Sequence, residues 1–304
     1  MRQATLLVSC SQQGSGAWVH RLPDPHIFLS IAHSAKYRTA VQRRLGLFIS
    51  ALAPSLDHAS ACGETVSEHH RLGDAAINAA NHTRRHNAGL HALYRALLAV
   101  SVSTVQLGDK GDGTRAGRDA AARRYDHLCS THIPDIVVGS ALWEFKAISP
   151  FKPKPALGMP NNAGSGTPSC ADGHLIAFGN TLEAITRQTR GLDGIGSESE
   201  PAFDRTTGVG FVAPYAGDYR GRAPHVPLTL VHSETTGALS PESLKSIAHL
   251  DKLANKPAHR DGTQYGSRRG ATRSFRRHHT SEISSAIVYA DAETLLAHAE
   301  GAPV

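Results

Sequence analysis

A chain of 304 residues is long enough for one large domain or two small ones, with ample core. Its 32 Lys and Arg against 26 Asp and Glu leave a formal net charge of +6, which suits an anionic partner such as nucleic acid. No apolar run approaches the length of a membrane span, ATLLVS near the start is too short for a signal-peptide core, and the four cysteines (Cys10, Cys62, Cys129 and Cys170) are scattered with no CxxC pair. The expectation is a soluble, intracellular protein with free thiols and no membrane contact.

The predicted elements begin with a helix over 37–52, carrying the stripe Leu45, Phe48 and Leu52. A His-rich segment, 58–86, reads as loop and short helix. Asn87, a good N-cap, opens an amphipathic helix whose Leu90, Leu93, Tyr94, Leu97 and Leu98 recur at the helical period. VSVSTVQL (100–107) is predicted as a strand; the turn LGDKGDG and a short charged helix, 115–128, follow.

The segment HIPDIVVGSALWEFKAI (132–148) then alternates in a way that predicts a hairpin. With Gly139-Ser140 as a two-residue turn, Val138 pairs with Ala141, Ile136 with Trp143 and Asp135 with Glu144. One face carries Pro134, Ile136, Val138, Ala141, Trp143 and Phe145. The other carries Ile133, Asp135, Val137, Leu142, Glu144 and Lys146, because side chains alternate along a strand. Two carboxylates placed opposite repel unless a cation joins them. Mg²⁺ takes one or two carboxylates and fills its shell with water and phosphate, while a neighbouring Lys can orient the attacking water. The other reading of the trio is a solvated, salt-bridged face of a half-exposed sheet.

Downstream, 150–173 is a long loop rich in Pro and Gly. Asn180 and Glu183 form a capping box for a helix presenting Leu182, Ile185 and Thr186 on one side. A loose segment, 193–224, leads to a predicted strand VPLTLVHSET (226–235), and a helix follows over 240–254 with Ser240 as its cap. GTQYGSRRGATRSFRRHH (262–279) interleaves Arg268, Arg269, Arg273, Arg276 and Arg277 with Tyr265 and Phe275. This is either a flexible phosphate-binding arm or a solvated loop. A final helix is predicted over 281–300. Two further clusters, Asp126/His127/Cys129/His132 and Cys62/His69/His70/His82/His86, hold zinc-ligand types without a clear tetrahedral set, so zinc is not expected. No phosphate-binding P-loop, GxSxG elbow or dinucleotide fingerprint is present.

Pro134-Asp135, a hairpin and then Glu144-Phe145-Lys146 resemble the motif of the PD-(D/E)xK nuclease superfamily. GSGAWVHRLP (14–23), YRTAVQRRLGL (37–47), Cys62-Gly63, His69-His70 and Arg85-His86-Asn87 follow in an order similar to the stretch after reverse transcriptase in some non-long-terminal-repeat retroelements. The resemblance covers about residues 14–150. It departs from that family where a zinc knuckle should stand, since no second or third cysteine lies near Cys62.

The resemblance implies an α/β, restriction-endonuclease-like fold: a mixed sheet flanked by helices, with an N-terminal arm and a helical C-terminal extension. Its expected divisions are an arm (1–60), a degenerate His-rich knuckle-like segment (61–84), a nuclease-like core (85–235) and a basic helical extension (236–304). It implies a Mg²⁺-dependent DNA endonuclease of mobile-element origin, nuclear if the source is eukaryotic, with Mn²⁺ able to substitute. Asp135 and Glu144 would hold the metal, Lys146 would position the water, and Asp109 would complete the metal site. Arg187 or Gln188, on the helix after the Lys strand, would face phosphate. The alternative is a catalytically inactive, nucleic-acid-binding remnant of the same fold.

Overall fold

The computed structural model of the chain describes residues 6–7, 10, 15–20, 31–62, 66, 68–79, 82–100, 104–108, 114–129, 133–148, 226–239, 241–254 and 274–301. In order of sequence the described helices are α1 (Ile31–Arg44), α2 (Ala53–Ala61), α3 (Glu68–Arg71), α4 (Asp74–Ala79), α5 (His82–Leu98), α6 (Arg115–Arg123), α7 (Pro241–Ala254) and α8 (Phe275–Ala299). The strands among the described residues are β1 (Val105–Leu107), β2 (Ile136–Val138), β3 (Ala141–Ile148) and β4 (Leu228–Glu234). They form one mixed sheet in the order β1-β2-β3-β4.

Gly139 at φ 59° lets the chain reverse within two residues, and the register that follows pairs Ile136 with Trp143, Val137 with Leu142 and Val138 with Ala141. This is the register that the alternation predicts. β1 adds antiparallel to β2, with Val105 opposite Val138 and Leu107 opposite Ile136. The expected strand over 100–107 is confined to Val105–Leu107 among the described residues. β4 joins β3 in parallel, with Glu144 aligned to Leu230 and Lys146 to His232.

The two faces of the sheet are covered differently. Ile136, Trp143, Phe145 and Val231 pack into the main core with Leu90, Leu93 and Leu97 of α5, Ile247 of α7, and Ile283 and Ile287 of α8. Val137 and Leu142, on the opposite face, meet Leu128, Cys129 and Val226, with Tyr125 against them. Cys129 is therefore a small apolar packing residue here. The second face is not the half-exposed surface that alternation alone allows.

Several helix boundaries differ from the sequence reading: α1 starts at Ile31 rather than 37, and α6 stops at Arg123, short of the expected 128. α1 stops at Arg44 because Gly46 takes φ 67°, with its N–H donating to Arg43 and the Leu47 N–H donating to Gln42, a glycine-terminated C-cap. Leu45 and Phe48 are exposed in consequence, and only Leu52 of the expected stripe is buried. α5 begins at His82, so Asn87 lies inside the helix and caps nothing. α8 begins at Phe275 rather than 281; Ser274 is its N-cap and accepts from the Arg277 N–H at 3.3 Å. Arg276 and Arg277 belong to its first turn and not to a flexible arm.

α8 is buried around most of its circumference, against α5, α1 and α7. Two of its buried hydroxyls are satisfied one turn back: Ser285 donates to the Ser281 carbonyl at 2.6 Å and Thr294 to the Ala290 carbonyl at 2.9 Å. The N-terminal residues close onto the same helix. Trp18 is 1% exposed and packs edge-on against Tyr37 of α1 and Tyr289 of α8.

Candidate functional site

Asp135 stands one residue before β2 and Glu144 is the fourth residue of β3. Both are buried, at 5% and 1% exposure. The two carboxylates clasp each other's strand. The Asp135 N–H donates to Glu144 Oε1 at 3.1 Å, and the Phe145 N–H donates to Asp135 Oδ2 at 3.0 Å. Each side chain thus accepts from backbone just beyond the last ladder pair, which fixes both carboxylates at the open end of the hairpin. Lys146, partly exposed, places Nζ 3.9 Å from Glu144 Oε2.

A fourth residue joins them. His86, in the second turn of α5, donates from Nε2 to Asp135 Oδ2 at 3.0 Å, since a carboxylate only accepts. Its Nδ1 lies 3.3 Å from Asn87 Oδ1. The ring also meets Phe145 edge-on, with centroids 6.0 Å apart. α5 can come this close because position 89 is glycine: a Cβ there would stand 2.3 Å from the Phe145 ring.

The electrostatics follow from these contacts. Burial pushes the Asp135 carboxyl up. The His86 hydrogen bond and charge, the Phe145 N–H and the Lys146 charge outweigh it and bring the group from 3.8 to about 2. Asp135 therefore stays ionised while buried, with His86 and Lys146 as its cationic neighbours.

The donor set fits the group that the resemblance implies. Mg²⁺ seeks carboxylate oxygens and keeps much of its water. Asp135 and Glu144 offer two ordered carboxylates beside the partly exposed Lys146. A carboxylate oriented through one oxygen retains acceptor capacity on the other.

Not every expected residue is part of this picture. Asp109, Arg187, Gln188, Arg268, Arg269 and Arg273 lie outside the described residues. Arg276 and Arg277 are described at the start of α8; the Arg276 N–H donates to Asp251 Oδ1 at 3.4 Å. His86 is the residue that sequence reasoning missed as a site member. A signal was available, because residues 86, 90, 93 and 97 share one helical stripe, and His86 extends the sheet-facing row of Leu90, Leu93 and Leu97.

No protein-family model, curated protein or solved structure matches this chain.

Proposed function

We propose that the chain is a metal-dependent DNA endonuclease of the PD-(D/E)xK kind, with a restriction-endonuclease-like core and a mobile-element origin. The observation that carries the reading is the clasp of Asp135 and Glu144, buried and adjacent at the open end of the hairpin, with Lys146 two residues further along β3. Two buried carboxyl groups side by side are costly to keep ionised, and here His86 and Lys146 stand beside them. The mixed sheet with helices packed against it accords with the same fold.

Mg²⁺ bound here would supply Lewis-acid activation of the scissile phosphate. Asp135 and Glu144 would hold it through carboxylate oxygens. Lys146 would orient a water for in-line attack on phosphorus and stabilise the negative charge that develops as the P–O bond breaks. His86 would hold Asp135 in place and ionised.

One observation favours the second reading, an inactive nucleic-acid-binding remnant. His86 and Lys146 offset the two carboxylates without any metal, so the cluster is electrostatically complete as it stands. Supercoiled-plasmid cleavage separates the two. The nuclease reading expects nicking with Mg²⁺ or Mn²⁺ that EDTA abolishes and that Lys146→Ala reduces about a hundredfold or more. Salt-sensitive DNA binding without metal-dependent cleavage would replace it with the binding reading.

A further inference from the structure

Two consecutive histidines and a glutamate share one side of the first turns of α8. His279 Nδ1 lies 3.0 Å from Glu282 Oε2, and His278 Nε2 lies 3.8 Å from the same oxygen. The three atoms fall within 4.8 Å of one another. Tetrahedral bonds of about 2.0–2.1 Å to zinc set ligand atoms roughly 3.3 Å apart. The two distances to Glu282 bracket that value, and the wider spread of the set is closed by turning the partly exposed His278 ring inward.

The set is held rather than loose. His279 is 3% exposed and packs at a tilt against Phe275, with ring centroids 4.4 Å apart. Glu282 is 7% exposed, and its other oxygen, Oε1, accepts from Arg95 Nε at 2.6 Å, which orients the carboxylate from outside. His278 is partly exposed and forms the open side.

We infer that His278, His279 and Glu282 bind one zinc-class divalent ion, with water completing its shell. Two imidazoles and a carboxylate suit zinc and its first-row neighbours, whereas Mg²⁺ prefers oxygen alone. Three protein donors leave a tetrahedral ion one position for water. The site is separate from the one at Asp135. α5 spans the two, with His86 at one and Arg95 at the other, and nine residues of helix rise about 13 Å. The inference therefore stands independently of the nuclease reading, and the two sites differ in the metal they select.

Arg95 gives the inference a signature that ordinary helix packing would not produce. Its guanidinium orients Glu282 but repels an incoming cation, and its side chain is 54% exposed, so the fold tolerates its loss. The test is titration of the full chain with Zn²⁺ against a chromophoric chelator, alongside Co²⁺ loading followed by ligand-field absorption. Wild type is expected to take up one equivalent and to give a four-coordinate Co²⁺ spectrum. His278→Gln, at a partly exposed position, should weaken binding at least about tenfold with an unchanged circular dichroism spectrum. Arg95→Gln should tighten it at least about threefold. Glu144→Gln should leave it unmoved. The inference is overturned if wild type binds no stoichiometric zinc, or if His278→Gln and Glu282→Gln both bind as wild type does, the ion then residing on other histidines.

Discussion

Asp135 is a carboxylate that remains charged inside the protein, and its neighbours decide at which pH that stabilises the fold. Its value is lowered from 3.8 to about 2 when the chain folds. A depressed carboxyl value contributes stability that is fully present above pH 3.8 and is lost as the pH falls through about 2. The contribution at neutral pH is on the order of 2 kcal/mol. Asp135→Asn should accordingly be less stable than wild type by about that amount at pH 5, and the gap should close as the pH falls through the 4-to-2 window. Urea unfolding of both proteins across that range measures it; a gap that stays constant would show that the Asp135 charge is not what the site stabilises. His86→Gln removes the principal partner, so at pH 5 it should cost about 1.5–3 kcal/mol, the range for a hydrogen bond to a charged group. The meeting of Asp135 and Glu144 was legible in the sequence, because a two-residue turn and strict alternation determine which side chains face each other. The place of His86 was legible only as an extension of the leucine row of α5, not as a partner of Asp135. Its partner lies 49 residues away, and the polar run around it, from His82 to Asn87, has the composition of a loop and a cap.

Elements announce their interiors more clearly than their ends. The hairpin, α7 and the leucine row of α5 follow from period and turn chemistry. The start of α5 does not, because Arg85 and His86 are held in helix by ion pairs to Asp291 and Asp135 that no local pattern contains. The early start of α8 follows from burial: a helix covered on most sides needs no amphipathic stripe, so Ser, Thr and His replace the periodic leucines that would mark it. The contact of α5 with β3 turns on Gly89. In an exposed helix, glycine to alanine gains about 1 kcal/mol. Here the new methyl would stand 2.3 Å from two atoms of a fully buried Phe145 ring, and overpacking of this kind costs about 1–3 kcal/mol. Gly89→Ala is therefore expected to destabilise, with Phe145→Leu restoring part of the loss in the double variant. A double-mutant cycle from urea midpoints measures the coupling, and additive effects would refute it. Phe145 lies between Glu144 and Lys146 in sequence, so any shift of its ring is also felt in the geometry of the site.

The whole molecule is joined at a buried ionic knot. Asp291 of α8 accepts from Arg43 of α1 and Arg85 of α5, each at 2.5 Å. Arg43 also reaches Thr235, just past β4, at 3.4 Å, and Asp74 of α4 at 4.0 Å. Segments spread over most of the chain thus meet at one carboxylate that is 1% exposed. Desolvating such charges costs about as much as their attraction returns, so the knot adds little net stability over an apolar core, yet breaking one member strands the others. Asp291→Ala should cost about 3–5 kcal/mol, since it leaves two guanidiniums buried without their shared anion. Replacing Arg43, Arg85 and Asp291 together with Met or Leu should recover most of that loss. A triple variant as unstable as Asp291→Ala would show that the charges themselves, and not the stranding of a partner, hold these elements together. The knot also bears on the candidate site, because Arg85 and His86 are adjacent on α5. Loosening Arg85 frees the turn that presents His86 to Asp135. The milder Asp291→Asn should therefore raise the Asp135 value as well as lower stability, shifting the onset of acid unfolding upward in pH, and the pH dependence of its urea midpoint beside that of Asp135→Asn reads this coupling directly.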